Sequence, residues 1–563
     1  MSPSRLFVAG GGEITSNEGT TQGDPFSMPF YVLATLPLIE LLQEKHSSVR
    51  QTWLADDSSG AGKRLDLRRW WQTLSEIGKR YGYFTNSEKT TLLVQAEMRA
   101  TAEELFMNTG VQIATKGVCY LGSAVGEENF MSSFIEQKVD EWLEELQVLA
   151  SFAKTEPHAA FAALTHGLRS RYVFLMRTLP STSDVVRRID QYLEDDFLPA
   201  MSNHKRFSAD LLALLRLPAR LGGIGLPCLS QSANFEHNAS IAMTESQVSE
   251  LINQNCPHQT VSVQEMHRSA TIARSSYKKV KKREEIEKFK ELASTSSLEG
   301  RRLELLAAKG ASSWLTTLPL KAHGFWLSRR DFQDALALRY DWKLEDVPIA
   351  CVCGAPFVPD HAIVCPFGGY PTIRHNEVRD FIGGLLADVC HNVAIEPLLV
   401  PLQGEVFRQK STNTGKEARL DIRARGFWTR QEDAFFDVRV FHPNASSYTA
   451  TSLEDLFHRH ERQKQLEYEE RITNVDHGSF CPLVFTTTGA VGPLCDRFLK
   501  RLAAFLGDTD LSYATTMAWI RCKLSFALLR NTIMCIRGTR SSRRKPVESA
   551  ERDVCIAESR LPV

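Results

Sequence analysis

ARLDIRARGFWTRQEDAFFDVRVF, residues 418–441, contains two runs in which polar and apolar side chains alternate. A period of two is typical of β-strands with two different faces. In the first run, Asp421 shares a face with Arg423, and Leu420 and Ile422 point to the other side. If the runs pair as an antiparallel hairpin folded symmetrically about Thr429, residue 421 falls opposite residue 437. The sequence therefore predicts two facing aspartates.

Two carboxylates on neighbouring strands favour a bound cation. Like charges at directly opposite positions of a strand pair are destabilising, and a shared cation removes that repulsion. We therefore expect Asp421 and Asp437 to hold a divalent ion, Mg²⁺ or Mn²⁺. The alternative is that Arg423 and Arg439 neutralise the two acids in a surface ladder.

A lysine downstream extends this pattern. Lys464 shares one stripe of a predicted helix with four other residues, Leu453, Phe457, His460 and Tyr468. An ammonium group on such a stripe is costly to bury unless it has a partner. A lysine aimed at a carboxylate pair would stabilise charge or orient water in phosphodiester hydrolysis. Ordinary snorkelling of the lysine stem is the alternative interpretation.

Upstream of the hairpin, Arg374-His375-Asn376-Glu377 opens a predicted helix whose apolar face runs from Val378 to Val389. Glu396 ends a predicted strand, 393–396. Together they fit the first helix and first strand of a nuclease core, with Glu396 as a further candidate catalytic acid.

A cysteine and histidine cluster precedes that helix. Cys351, Cys353, His361 and Cys365 supply four ligands within a short segment that also contains Gly354 and two prolines for the turns. Three thiolates and an imidazole are the ligand set of a tetrahedral structural zinc site. The alternative is reduced, buried cysteines beside an ordinary histidine.

The N-terminal part contains a second acidic pair, Asp56-Asp57, directly after Trp53-Leu54-Ala55. Alone, such a pair is typical of a turn or a helix cap. The surrounding segments give it a context: GTTQGDP at 19–25 before it, GYFTNSEKT at 82–90 and YLG at 120–122 after it.

In this order and spacing the N-terminal segments resemble successive motifs of a reverse transcriptase palm over about residues 19–126, with helices corresponding to the thumb behind them. The resemblance implies that Asp56 and Asp57 bind the catalytic metal ions. It also implies that Gln22 and Gly23 lie beside the template and incoming nucleotide, and Lys89 near the phosphates. The family's remaining metal ligand is an aspartate on an earlier strand, and no aspartate precedes Asp24. We therefore expect no polymerase activity from this chain alone.

The C-terminal segments resemble the restriction-like endonuclease of non-LTR retrotransposon polyproteins, a member of the PD-(D/E)xK fold, over about residues 345–480. The resemblance implies catalytic and magnesium-binding roles for Asp421 and Asp437, with Lys464 as a displaced catalytic lysine. It implies nucleic-acid contacts by Arg374, His375, Asn376, Arg439 and Tyr468. Leu420 replaces the family's proline. Arg439 stands where many relatives have lysine, and because arginine stays protonated it cannot act as a base.

Composition sets the outer limits. With 563 residues, 43% hydrophobic and 24% charged, the chain is typical of a soluble protein of several domains, which excludes wholesale disorder and collagen-like repetition. Its net charge is zero, so nucleic-acid binding must come from local basic faces. Scattered cysteines and the lack of a signal peptide predict an intracellular protein. A chromosomal DNA substrate would place it in the nucleus, with the cytoplasm as the alternative.

The sequence thus predicts a multidomain α+β protein and no membrane span; the apolar stretch 26–42 is interpreted as a buried helix. The predicted domains are a partial palm (1–126), a helical thumb-like region (127–240), a helical connector (241–344), a zinc knuckle (345–370), a restriction-like endonuclease (371–535) and a disordered tail (536–563). The expected function is metal-dependent DNA nicking by a retrotransposon-derived protein, with target DNA and an RNA template as partners. The alternative is a non-catalytic nucleic-acid-binding or scaffold protein of the same origin.

Overall fold

The computed structural model describes residues 4–8, 11–16, 25–204, 206–253, 260–295, 300–448, 451–507 and 512–538. The chain forms two compact units, one from residues 1–140, 172–186 and 230–280 and the other from 141–171, 187–229 and 281–563. Segments of the two units therefore alternate along the chain, whereas the predicted domains are consecutive. The architecture is mixed, with many helices and small sheets. Gln22, Gly23 and the tail beyond residue 538 lie outside the described residues.

The helices, in chain order, are α1 (Ser27–Lys45), α2 (Arg64–Ile77), α3 (Arg99–Leu105), α4 (Glu128–Ala153), α5 (Pro157–Ala162), α6 (Arg169–Thr178), α7 (Ser183–Tyr192), α8 (Leu198–Ser202), α9 (Ala209–Arg216), α10 (Leu229–Asn253), α11 (Thr260–Thr295), α12 (Gly300–Ala307), α13 (Ser313–Thr316), α14 (Arg329–Tyr340), α15 (Pro359–Val364), α16 (Tyr370–Val389), α17 (Leu453–Arg471), α18 (Pro493–Gly507) and α19 (Tyr513–Arg537). The strands are β1 (Ser4–Val8), β2 (Gly12–Ser16), β3 (Arg50–Leu54), β4 (Asp57–Ala61), β5 (Thr91–Leu93), β6 (Gln112–Ala114), β7 (Gly117–Tyr120), β8 (Ser123–Gly126), β9 (His391–Ile395), β10 (Ile422–Arg425), β11 (Asp433–Phe441) and β12 (Ser479–Thr486).

The second unit contains a four-stranded sheet in the order β12-β11-β10-β9. Strands β9, β10 and β11 form an antiparallel meander, and β12 lies parallel to β11. A parallel pair needs a crossover connection, and here α17 supplies it. The sequence predicted β10 and β11 but not the parallel fourth strand.

Both faces of this sheet are covered. Phe436 and Ile422 pack with helices α16, α18 and α19 in the main core, whereas Phe435 packs against Tyr468 of α17. Neighbouring residues of a strand point to opposite faces, so the adjacent pair Phe435 and Phe436 serves both layers. This two-sided burial explains why β11 is buried without interruption from residue 434 to 438.

One detail of the hairpin differs from the sequence prediction. Leu420 lies with Phe435 on the α17 side, not with Ile422 as strict alternation requires. The chain bends at Asp421, and the regular strand begins only at Ile422. The reason is a side-chain hydrogen bond: Val438 N donates to Asp421 Oδ2 at 2.6 Å. Gly426 N donates to Glu432 O, and backbone hydrogen bonds recur at every second pair of an antiparallel hairpin. If this pattern continued past Ile422, Val438 N would donate to the carbonyl of Leu420.

In the first unit, α1 corrects a second prediction. The helix forms, but within it only Thr35, Leu38 and Leu42 are buried, and Leu33 is 66% exposed. It was predicted to be a buried helix; in the described residues its packing is limited to one side, against Trp70 and Leu74 of α2. No described helix meets the length and apolar content needed to cross a membrane. The region predicted as a helical connector contains α11, whose basic run 278–283 is mostly exposed.

Candidate functional site

The hairpin has the predicted register: Ile422 pairs with Phe436 and Arg425 with Asp433, so both pairs are symmetric about Thr429. The ladder ends at Ile422, and Asp421 follows at its open end, where its carboxylate accepts from Val438 N, the residue after Asp437. The register within β10 and β11 is confirmed, and Asp421 lies close to Asp437 just outside the paired residues.

Asp421 is fixed from two sides. Its Oδ2 accepts from Val438 N at 2.6 Å and lies 3.1 Å from His375 Nε2 of α16. Burial lowers the pKa of His375, but the hydrogen bond to Asp421 and that aspartate's charge outweigh it, so the net shift is upward. Asn376 Oδ1 lies 3.3 Å from the other ring nitrogen of His375 and fixes the ring. The helix predicted from 374–377 thus delivers its histidine directly to the acid pair.

Asp437 is the more deeply buried acid, only 6% exposed. Desolvation raises its pKa to about 6 and the charge of Asp421 adds to this, although the Lys464 ammonium lowers it. Lys464 Nζ donates to its Oδ1 at 3.3 Å and lies 3.0 Å from its Oδ2, which accepts no hydrogen bond itself. A buried carboxylate is costly unless it is paired, and the ammonium group of Lys464 supplies the opposite charge here.

Lys464 reaches this site from α17. Its Nζ also lies 3.7 Å from Glu467 Oε2 and 5.4 Å from the centre of the Tyr468 ring. Burial lowers the pKa of Lys464, but the Asp437 carboxylate more than compensates and the pKa is raised. Lys464 therefore stays a cation that faces Asp437, and its ammonium group does not turn away to solvent as simple snorkelling would require.

Three other predicted residues complete the picture. Glu396 directly follows β9 and lies beside Asp421, because Glu396 N donates to Asp421 O at 2.9 Å, and its carboxylate pairs with Arg379. Arg374 is 3% exposed and donates to Ile363 O of α15, so it is buried in the protein and has little surface to offer a nucleic acid. Arg439 is exposed at the end of β11. It does not neutralise Asp437 in a surface ladder, because Asp437 is buried and paired with Lys464.

The predicted zinc ligands do come together. One ligand atom from each of Cys351, Cys353, His361 and Cys365 lies within 4.8 Å of the others. Cys351 Sγ is 3.7 Å from Cys365 Sγ, and Cys353 Sγ is 3.1 Å from His361 Nε2. Despite burial, hydrogen bonds within the cluster lower the pKa of Cys351 to about 6. These four residues could hold a metal such as zinc.

Within the described parts of the chain, that cluster is the only close group of three or more potential metal ligands. Asp421 and Asp437 belong to no such group in the described residues, although His375 Nε2 lies 3.1 Å from Asp421 Oδ2. Mg²⁺ needs fewer protein ligands, because it usually keeps several waters and is bound through one or two carboxylates and a substrate phosphate.

A histidine beyond β11 connects the cysteine cluster to the sheet, and this contact was not predicted. His442, 4% exposed at the end of β11, lies 2.9 Å from Asp360 Oδ1 of α15 and 2.8 Å from Thr487 Oγ1. Asp360 is the neighbour of the ligand His361. The only sequence signal is a histidine at the end of a buried strand, and such residues have many roles.

In the first unit, the segments that resemble a palm also meet. Ala55 and Asp56 form the turn of the β3–β4 hairpin, and Asp57 starts β4. Tyr83 donates to Asp56 O at 3.0 Å, and Tyr120 OH lies 3.1 Å from Ser59 Oγ. Asp56, Asp57 and Lys89 are all exposed.

Comparison with known proteins gives no match to any protein-family model and no significant match to a curated protein.

Proposed function

We propose that this chain is a retrotransposon-derived protein whose second unit nicks DNA in a metal-dependent reaction. The observation that carries the proposal is the meeting of Asp421, Asp437 and Lys464 at the open end of one hairpin. Asp437 is buried there with one oxygen lacking a hydrogen bond. In this proposal the two acids hold Mg²⁺ or Mn²⁺.

The residues fit a divalent ion. The two carboxylates offer the hard oxygen ligands that Mg²⁺ prefers, and Asp437 Oδ2, which accepts no hydrogen bond and faces Lys464 Nζ at 3.0 Å, is one of them. When bound, such an ion supplies Lewis-acid stabilisation of a phosphoryl oxygen and lowers the pKa of bound water. Helix α16, strand β9 and the β10–β11 hairpin follow one another along the chain in the order expected for a restriction-like endonuclease, and this order supports the proposal.

Each side chain has a separate task in this proposal. Asp421 is held in place by Val438 N and His375, so its orientation is set before an ion arrives. Lys464 provides a cation beside Asp437 that stabilises negative charge on the phosphate or orients the attacking water. Arg439, exposed nearby, stabilises charge but transfers no proton. Tyr468 supports Lys464 from the next turn of α17.

The other elements have supporting roles. The cysteine cluster holds structural Zn²⁺, because four protein ligands leave no open position for a water molecule. Residues 1–126 of the first unit descend from a reverse transcriptase palm, with Asp56 and Asp57 as its metal-site remnant, and an RNA template is the partner of this region. A chromosomal substrate places the protein in the nucleus.

A second candidate is a non-catalytic nucleic-acid-binding protein of the same origin. One observation favours it: Lys464 already neutralises Asp437, and His375 already faces Asp421. If Lys464 and His375 compensate the charges of the two acids, the fold is stable without a bound ion.

Nicking of supercoiled plasmid separates the two candidates. We expect the full chain to convert supercoiled to open-circular DNA with Mg²⁺ or Mn²⁺, and Asp421→Ala and Asp437→Ala to lose at least about a hundredfold in rate. Asp433→Ala, on the same strand but away from the pair, serves as the matched control. No metal-dependent nick, or equal rates in all variants, would leave the binding protein as the correct interpretation.

A further inference from the structure

The connection between β9 and β10 is an unusually long loop. Residues 400–417 contain no helix or strand, and the neck is closed by a bridge between Leu398 and Arg419 and by Leu399 N donating to Ala418 O at 3.0 Å. Loops of more than about 12–15 residues without secondary structure are uncommon in compact domains and are usually functional or disordered. We refer to residues 400–417 as the anchored loop, because it is extensively bonded to α17.

The principal anchor is Arg471, which is completely buried. Its Nη1 donates to the carbonyls of Asn413 at 2.7 Å and Gly415 at 3.1 Å, and its Nη2 donates to Val400 O at 3.1 Å. Burying a guanidinium is expensive unless its donors are used. The charge of this arginine is therefore committed to holding three carbonyls of the loop.

The neighbouring residues of α17 add to this attachment. Glu470 accepts from Arg408 N at 2.8 Å and Gln409 N at 2.9 Å, and these hydrogen bonds lower its pKa. Asn413 N donates to Glu467 O at 2.8 Å. The same helix presents Lys464 to Asp437. One helix thus sets the position of both the anchored loop and the catalytic lysine.

The loop and its neck expose cations without partners. Lys410, Lys416 and Arg419 are exposed, and among the described residues none of them makes an ion pair. Arg408 is a fourth exposed cation near Glu470. Arg419 lies two positions before Asp421, so this charged surface adjoins the acid pair in the chain. The same stretch contains two acids, Glu405 and Glu417, against four cations, and this excess of positive charge is complementary to a polyanion.

We propose that the anchored loop and Arg419 form the surface that receives the phosphate backbone of duplex DNA beside the acid pair. The proposal rests on the proposed function and adds to it the surface that binds the substrate. A duplex carries about one negative charge per 1.7 Å of its axis. A loop held rigid by Arg471 keeps its cations at fixed spacing, which suits a stiff duplex better than a flexible single strand.

The test measures binding separately from cleavage. The full chain is titrated into a fluorescein-labelled duplex of about 25 base pairs without added Mg²⁺ or Mn²⁺, at several salt concentrations. The loop variant is Lys410→Gln/Lys416→Gln/Arg419→Gln. The charge-matched control is Lys278→Gln/Lys279→Gln/Lys282→Gln, three exposed lysines of α11. Circular dichroism melting checks that both variants fold.

Each lost phosphate contact lowers the slope of log K against log salt by about 0.9. We therefore expect the magnitude of this slope to be about two to three smaller in the loop variant than in the wild type. The loop variant should also bind at least about tenfold more weakly at 0.1 M salt. A slope within about 0.5 of the wild-type slope, together with an affinity within about twofold of the wild type, would overturn the proposal. An equal loss of affinity for single-stranded RNA would also overturn it, because the loop would then bind any polyanion.

The outcome is separable from that of the nicking assay. If the wild type fails to nick but the loop variant loses duplex affinity, the catalytic proposal fails and the binding surface stands. If the wild type nicks and the loop variant binds normally, the binding surface is wrong and catalysis stands.

Discussion

Replacing Asp437 by asparagine should make the protein more stable while abolishing nicking. Asparagine has nearly the same shape as aspartate and mimics its protonated, neutral form, with Lys464 in place in both cases. The pKa of Asp437 is raised from 3.8 to about 6, mainly by burial. At pH 8, ionising this side chain therefore costs about 3 kcal/mol more in the fold than in the unfolded chain.

The pH dependence of stability follows from the difference in proton binding between the folded and the unfolded state. Because the folded state holds this proton more tightly, the free energy of unfolding falls as pH rises from about 4 to about 6 and then levels off. Asp437→Asn should thus raise the free energy of unfolding by about 3 kcal/mol at pH 8 and by about half that at pH 5. An acid retained at such a cost is typical of a functional site, where activity is gained at the expense of stability.

Calorimetric or urea unfolding of the full chain at pH 8 and pH 5, with no added divalent metal, measures this difference. Asp433→Asn, at the half-buried start of the same strand, should change stability little. If Asp437→Asn destabilises the protein at pH 8, or if its effect does not vary with pH, the carboxylate is a structural partner of Lys464 and the reasoning is wrong.

Three further predictions concern the acid pair, the cysteine cluster and the core. Nicking should decline as pH falls through about 6, because protonated Asp437 cannot bind a cation. A profile flat down to pH 5 would contradict this. Elemental analysis should find one zinc per chain, lost in Cys353→Ser and retained in Cys119→Ser, an exposed cysteine outside the cluster; equal zinc in both variants would refute the assignment. Phe436→Ala should cost about 3–5 kcal/mol, because Phe436 is fully buried against Phe427 and Phe498, whereas Phe84→Ala, 72% exposed, should cost almost nothing; similar losses in the two variants would place Phe436 outside the core.

The parts of the site that were predictable depend on short-range rules. The hairpin register follows from strand alternation and a single turn centre at Thr429, and it was predicted correctly. The α17 stripe that carries Lys464 follows from helical spacing. The four cysteine-cluster ligands occupy one short segment, so their spacing alone suggested that they meet.

The parts that were missed depend on contacts between distant segments. His375 and Asp421 are 46 positions apart, and His442 and Asp360 are 82 positions apart. No local pattern predicts which helix will carry a histidine to a given strand. The bend at Asp421 has a similar origin, because a side chain accepts the hydrogen bond that strand alternation assigns to a backbone carbonyl. The exposed apolar side of α1 was missed because hydrophobicity predicts burial only where a partner surface exists.

A crystal of the full chain soaked in Mn²⁺ would test the central claim most directly, through anomalous scattering at the manganese edge. The account predicts one anomalous peak within about 2.0–2.4 Å of oxygens from both Asp421 and Asp437, with Lys464 displaced from Asp437 Oδ2. A peak elsewhere, or continued pairing of Lys464 with Asp437 in a crystal saturated with Mn²⁺, would contradict it.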